Sequence, residues 1–273
     1  MSNRPIFVIG DVHGEYDKLI ALLRSASLMN PNFNWIGGDS TLWFMGDFFD
    51  RGAHGIACME LVMQLQDEAF SSGGEVQSLL GNHEMVLLSA YFFGEQPTAW
   101  GGTFLSDWLR NGGQSTDLSS LREEHIVWIM NLPAMAHVDG RLFLHADALF
   151  YEHYGSSVAE VNEAFKALLR SKDPAAWDRL LAEFSERGAF FDAETDINDS
   201  ASSFLAEQYL RKYGGKALVH GHTPISKFLK KPDRDITGPL IYAGGLCVDV
   251  DGGMNKGGLG FVYELPPLEK PGA

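Results

Sequence analysis

The sequence is poor in cysteine, in long apolar stretches and in positive charge. Its 273 residues include two cysteines, Cys58 and Cys247, which are too few for a disulfide framework and lack Cys-x-x-Cys spacing. No uncharged apolar stretch approaches the roughly 18 to 20 residues that a membrane-spanning helix needs. We therefore expect free buried thiols in a reducing compartment, and no membrane partner.

Lys and Arg number 21 against 36 Asp and Glu, so the formal net charge is -15 with neutral histidines. A field of this sign repels phosphate backbones and anionic membrane surfaces, and we expect no nucleic-acid partner. The amino terminus runs from Met1 into the short apolar stretch Ile6–Ile9 without the features of a signal peptide, which predicts a cytoplasmic protein.

The composition that is present, 45% hydrophobic and 21% charged, is that of a folded globular protein. Short apolar runs alternate with helical patterns, which predicts the α/β class. Two stretches, 90–135 and 151–213, break this alternation, and we interpret them as helical insertions within a single domain over 1–273. The predicted strands are 6–9, 42–45, 76–80, 142–144, 217–219, 240–243, 246–250 and 260–264.

Polar side chains follow five of these strands, where the carboxyl ends of parallel strands form a binding crevice. Carboxylate, imidazole and amide groups without thiolate suit manganese, iron or zinc in an open geometry. There are more of them than one tetrahedral ion takes, which favours two ions that share a bridging carboxylate. These residues are Asp11, His13, Asp47, Asp50, Arg51, Asn82, His83, Glu84, His145, His220 and His222.

Three strand ends carry distinct motifs: GDVHG at 10–14, GDFFDRG at 46–52 and GNHE at 81–84. They resemble the motifs of the metallophosphoesterases, and within these the phosphoprotein phosphatase branch. With WIGGD at 35–39, the second motif is similar to that of the bacterial Shewanella-like phosphatases. The resemblance implies a calcineurin-like domain in which a central β-sandwich is flanked by helices, an αββα architecture.

The same resemblance implies two divalent metal ions, with Mn²⁺ expected first and iron or zinc as alternatives. It also makes His83 the general acid, oriented by Asp50, and Arg51 a clamp on the phosphate, while a metal-bridging hydroxide attacks phosphorus. Asp47 is the implied bridge. The implied ligands are Asp11, His13 and Asp47 for one ion, and Asp47, Asn82, His145 and His222 for the other.

Several assignments stay open in the sequence. A second phosphate clamp is usual in the family, and both Arg187 and Arg110 are candidates. His220 competes with His222 as a ligand, because a continuing strand would put both on one face. The family pattern His-Gly-Gly here has Asp147 in its third position, either as a partner behind the metals or as a group that alters substrate access.

Three functions compete. The first is a metal-dependent phosphatase that hydrolyses phosphoserine or phosphothreonine in proteins, or a small phosphomonoester. The second is symmetrical hydrolysis of dinucleoside tetraphosphates, a related activity whose family tends to lack the equivalent of Asp50 and to end the third motif in Asp rather than Glu84. The third is a catalytically dead module that binds a phosphorylated partner. Pro224, where other metallophosphoesterases carry another histidine, favours the phosphoprotein phosphatase branch.

Overall fold

The strands of the protein form two mixed sheets in a computed structural model that describes residues 4–191 and 200–268. The strands are β1 (Ile6–Ile9), β2 (Thr41–Phe44), β3 (Glu75–Ser78), β4 (Met135–Val138), β5 (Arg141–Leu144), β6 (Leu218–His220), β7 (Leu240–Tyr242), β8 (Cys247–Asp249) and β9 (Tyr263–Glu264). The first sheet has the order β3-β2-β1-β9, with β1, β2 and β3 parallel and β9 antiparallel. The second has the order β4-β5-β6-β8-β7, with β5, β6 and β8 parallel.

Helices follow most of the parallel strands because their apolar residues recur at helical spacing. In the first helix, Leu19, Ile20 and Leu23 form the buried face. The helices are α1 (Tyr16–Ser25), α2 (Gly55–Ser71), α3 (Asn82–Phe93), α4 (Phe104–Arg110), α5 (Ser115–Ser120), α6 (Glu123–Met130), α7 (Val158–Arg170), α8 (Pro174–Glu183), α9 (Ser200–Tyr213) and α10 (Ile225–Leu229).

The two sheets face each other through aromatic side chains. Trp43 of β2 packs edge-on against Phe143 of β5, with ring centroids 5.6 Å apart. On the other side of each sheet lie helices, since α2 contacts β3 and α7 contacts β4. This arrangement confirms the predicted α/β class and the sandwich flanked by helices.

Both predicted insertions contain helices, α4 to α6 in the first and α7 to α9 in the second. Both insertions pack against α3, which contacts α4 of the first and α8 of the second. Residues 192–199 of the second insertion lie outside the described part of the chain. The single domain over 1–273 stays a prediction.

The structure differs from the predicted strands at the sheet edges. Strand β4 was not expected, because only Met135 and Val138 of its four residues are buried and the exposed His137 breaks the apolar pattern. The last predicted strand, 260–264, shortens to Tyr263–Glu264. Edge strands have one side to pack against, so their pattern is weaker than that of central strands.

Cys58 and Cys247 are free and buried, as expected, and burial raises the pKa of both thiols. Over residues 4–191 and 200–268, none of the helices combines the length and apolar character that a bilayer crossing requires.

The two sheets approach each other closely where β1 and β8 end. Gly10 follows β1, and a Cβ atom placed on it would lie 2.2 Å from the carbonyl oxygen of Val250, which follows β8. Only glycine permits this approach, because Val250 presents rigid backbone rather than a flexible side chain. The contact sets Asp11 beside the strand ends of the second sheet, where Gly221 comes so near that a Cβ on it would be 2.5 Å from Asp11 Oδ1.

Gly10→Ala should therefore lower the free energy of unfolding by about 2 kcal/mol or more, because the added methyl group forces the sheets apart. Gly238→Ala is the matched control, since a Cβ there meets nothing within 4 Å, and its effect should stay within about 0.5 kcal/mol. Urea unfolding followed by circular dichroism measures both. Equal stability of the two variants would contradict the close packing of the sheets at Gly10.

Candidate active site

Side chains from five strand ends meet around the carboxylate of Asp47. Its Oδ2 lies 3.7 Å from His13 Nε2, 3.4 Å from His145 Nε2 and 4.0 Å from His83 Nε2. Asp47 belongs to two groups of side chains able to hold a metal ion, one with His13 and His83 and the other with His145 and His222. One carboxylate thus lies between two groups of ligand atoms.

Asn82 and His222 complete the second group. Asn82 Oδ1 is 2.9 Å from His222 Nδ1 and 3.1 Å from His145 Nε2, and the two ring nitrogens are 3.2 Å apart. In the first group, Asp11 Oδ2 lies 3.7 Å from His13 Nε2. This oxygen is buried and has no hydrogen-bond partner among the described residues. A buried carboxylate oxygen in that situation is stabilised by a cation.

Two histidines are anchored so that one nitrogen faces the centre. His13 Nδ1 donates to the carbonyl of Phe49 at 2.8 Å, and His145 Nδ1 donates to the carbonyl of Met45 at 2.6 Å. A proton on Nδ1 leaves the lone pair on Nε2, which is the arrangement of metal-binding histidines. Both Nε2 atoms point at Asp47.

The backbone at the site is held in left-handed conformations. Such φ angles cost a non-glycine residue on the order of 1 kcal/mol and concentrate at functional sites. The surrounding hydrogen bonds maintain them, as where His13 N donates to the carbonyl of Asp47 at 2.8 Å. The residues are His13, Asp47, Asp50, Arg51 and His222, with φ of 46°, 56°, 67°, 69° and 71°.

The left-handed turn at His222 also separates it from His220. Strand β6 ends at His220, whose Nε2 lies 2.8 Å from the hydroxyl of Tyr242, while Nδ1 lies 3.1 Å from the carbonyl of Gly221. The expected common face does not form, because the strand does not continue through His222. The structure brings His222, not His220, to Asn82 and His145.

Glu84 organises the loops behind the ligands, a role that the sequence did not suggest. Its carboxylate accepts hydrogen bonds from the backbone N–H groups of Asp47 (2.8 Å), Phe48 (2.7 Å) and Gly81 (2.8 Å). Burial, with the nearby charge of Asp47, raises the pKa of Glu84 to about 7. The signal available in the sequence was a glutamate three residues after Gly81 at the start of a helix, a capping position.

His83 stands in a chain of hydrogen bonds that fixes its ring. Its Nδ1 lies 2.5 Å from Asp50 Oδ2, and the indole of the fully buried Trp108 donates to Asp50 Oδ1 at 2.7 Å. Arg51 donates to His83 Nε2 at 3.0 Å, so Nε2 is an acceptor and Nδ1 carries the proton. Nothing in the sequence links Trp108 to Asp50.

Charges at the site shift one another strongly. Burial together with Asp251 and Asp47 raises the pKa of Asp11 well above its usual range. Burial alone would raise the pKa of Asp47, but His145, His83 and His13 hold it well below that range. Buried carboxylates that repel one another, beside imidazole nitrogens, are a donor set that fits two divalent cations of the manganese, iron or zinc type.

The arginines lie around a cavity of about 350 Å³ whose lining includes Asn82, His83 and His222. Arg51 reaches the centre, with one guanidinium nitrogen 2.6 Å from His13 Nε2. Arg187 also lines the cavity, where burial and the charge of Arg51 lower its pKa and the charges of Asp47 and Asp11 oppose that shift. Arg110 also lines the cavity, but its guanidinium pairs with Asp107 at 3.0 Å.

Residues 4–226 match the calcineurin-like phosphoesterase family. Shewanella-like protein phosphatase 1 of Plasmodium berghei is 29% identical over 228 residues, which cover 81% of this chain and 61% of that protein. The symmetrical bis(5'-nucleosyl)-tetraphosphatase of Bordetella pertussis is 27% identical over 183 residues, 63% of this chain and 58% of that protein. The chain thus spans about three fifths of these relatives.

A solved structure, the cold-active protein-tyrosine phosphatase of a psychrophilic Shewanella species, matches with a TM-score of 0.68 and 21% identity. The match covers 96% of this chain and 75% of that one, and it supports the fold. Because the family match covers more than half of the sequence, the chain belongs to the calcineurin-like phosphoesterases, a family of metal-dependent hydrolases of phosphate esters.

Proposed function

We propose that this protein is a dinuclear-metal phosphomonoesterase that removes phosphate from phosphoserine or phosphothreonine in proteins. The observation that carries the proposal is the position of Asp47, between two groups of ligand atoms and beside a histidine that a carboxylate orients. A reducing, cytoplasmic location is part of the proposal, and Mn²⁺ is the metal that we expect.

The proposed ligands are those implied by the motifs. Asp11, His13 and Asp47 would hold one cation, and Asp47, Asn82, His145 and His222 the other. When bound, two divalent cations supply Lewis acidity, which offsets the charge of the phosphate and lowers the pKa of water. Glu84 and the anchored Nδ1 atoms of His13 and His145 hold these side chains in place before substrate arrives.

His83 is the proposed general acid. The Asp50 carboxylate accepts a hydrogen bond from Nδ1 and orients the ring, so that Nε2, once protonated and released from Arg51, can give its proton to the departing alkoxide oxygen. Trp108 keeps the Asp50 carboxylate in position from behind. Serine and threonine are poor leaving groups, and protonation of their oxygen is what their esters require.

Arg51 and Arg187 are the proposed phosphate clamps. A guanidinium offers paired N–H donors that match two phosphate oxygens, and both side chains line the cavity next to the ligand cluster. Arg110 is the weaker candidate, because Asp107 already neutralises it.

The net charge of the chain favours a phosphomonoester over a dinucleoside tetraphosphate. The formal net charge is -15, and a field of this sign repels a substrate with four phosphate groups more strongly than one with a single phosphate. In the cavity, Arg110 is paired with Asp107, and Asp178 adds another carboxylate. The similarity to the Bordetella enzyme supports the tetraphosphatase alternative, and the similarity to the Plasmodium phosphatase supports ours.

Removal of metal should abolish activity. After treatment with a chelator, hydrolysis of p-nitrophenyl phosphate should fall at least about a hundredfold and return with Mn²⁺, because no other described group can activate water as strongly. The measurement is release of p-nitrophenolate before and after refilling. Inactivity with manganese, iron and zinc alike, together with binding of a phosphopeptide, would instead support the dead binding module.

His83→Ala should depend on the leaving group. Turnover of a phosphoserine peptide should fall about a hundredfold or more, while p-nitrophenyl phosphate, whose leaving group needs no proton, should lose less. His153→Ala is the control, since that exposed histidine bonds only to Glu183 among the described contacts. Equal losses on both substrates, or none, would remove His83 from the acid role.

A substrate panel should rank phosphoserine and phosphothreonine peptides above diadenosine tetraphosphate by about tenfold or more in kcat/KM, for the electrostatic reason given above. Phosphate release and nucleotide chromatography measure the two reactions on one preparation. Faster symmetrical cleavage of the tetraphosphate into two ADP molecules would select the alternative function.

A further inference from the structure

Two segments, one of which carries the cavity residue Arg187, are tied together by four hydrogen bonds. One segment, 147–150, follows β5 and the ligand His145, and the other, 186–190, follows α8. The Glu186 carboxylate accepts from the backbone N–H groups of Leu149 and Phe150, both at 3.0 Å. Asp147 accepts from Phe190 N through Oδ1 at 2.9 Å and from Ala189 N through its carbonyl at 3.2 Å.

Arg187 and Gly188 lie between these two attachments. Glu186 fixes the chain just before them, and Asp147 fixes it just after. Gly188 takes the left-handed conformation, with φ of 72°, which turns the chain between the attachments. The Arg187 side chain lines the cavity with Arg51. The backbone that carries this side chain is a short turn held at both ends.

The Asp147 side chain is itself held from behind. Its Oδ2 accepts a hydrogen bond from the hydroxyl of Tyr242, and that hydroxyl lies 2.8 Å from His220 Nε2. Asp147, Tyr242 and His220 are all buried, as is Phe190. Hydrogen bonds shielded from water in this way are geometrically stiff and are costly to leave unmade.

These contacts leave Asp147 in neither of the two roles that the sequence left open. Both carboxylate oxygens are engaged, and Asp147 is not part of the described cavity lining, so it does not meet substrate. It also makes no contact with the ligand ring, since His145 Nδ1 donates to Met45 instead.

We propose that Asp147 is a positioning residue that holds Arg187 at the phosphate, together with Glu186. The inference rests on the proposed function, because Arg187 needs a phosphate to bind. It accounts for the departure from the His-Gly-Gly pattern: a glycine at this position has no side chain with which to accept the N–H of Phe190.

The test is a double-mutant cycle in the Mn²⁺-loaded enzyme with p-nitrophenyl phosphate, alongside calorimetric binding of inorganic phosphate. Asp147→Ala and Arg187→Ala should each raise KM and the dissociation constant of phosphate about tenfold, and the double variant should be no worse than Arg187→Ala alone. Asp147→Asn keeps an oxygen for the N–H of Phe190, so we expect it to restore binding to within about threefold of the parent.

Bound manganese and thermal unfolding are measured for every variant. Asp173→Ala is the control, because it removes a helix cap on α8, where Asp173 accepts from Ala175 N at 3.0 Å, without touching the cavity. If Asp147→Ala is too unstable to study, Glu186→Ala in the parent and in the Arg187→Ala background provides the second cycle, because Glu186 holds the same turn from its other end.

Additive effects of Asp147→Ala and Arg187→Ala would overturn the proposal, as would unchanged phosphate binding in folded, metal-loaded Asp147→Ala. An inactive parent enzyme whose phosphate binding still depends on Arg187 and on Asp147 would overturn the proposed catalytic function while supporting the positioning role.

Discussion

The structure depends on burying several charged groups around one carboxylate. Asp11 and Asp47 are both about 2% exposed or less, and three imidazole nitrogens point at Asp47 from different strands. Carboxylates and histidines buried together are unfavourable unless opposite charge compensates them. The left-handed backbone at five site residues adds to this cost. Two divalent cations would supply the compensating positive charge. The hydrogen bonds around the ligand side chains are then best explained as holding those side chains in place for the cations.

Much of that support comes from contacts between the two sheets rather than from either one. Gly10 lets β1 approach Val250, so Asp11 from the first sheet reaches the backbone of His222 from the second, whose N–H it accepts at 3.0 Å. His145 in turn bonds to the carbonyl of Met45, next to β2. A shift of one sheet against the other would therefore separate the ligands. The packing of the two sheets thus determines the geometry of the site.

The sequence predicts the class, the central strands and the set of polar residues at their ends, because buried strands that end in Gly-Asp or Gly-Asn have strong local signals. It does not predict the partners of those residues. Asp50 meets Trp108 across 58 positions and Asp147 meets Phe190 across 43, and such pairs follow from tertiary packing. The sequence also does not choose between Arg187 and Arg110 as the second phosphate clamp. We favour Arg187 because Arg110 is paired with Asp107 in the structure.

The central claim is that Asp47 joins two metal positions, and metal stoichiometry tests it most directly. Elemental analysis of the Mn²⁺-loaded protein should find two ions per chain, and Asp47→Asn should hold fewer than one while remaining folded by circular dichroism. Retention of both ions by the variant, or failure of the parent protein to bind any divalent metal, would contradict the account.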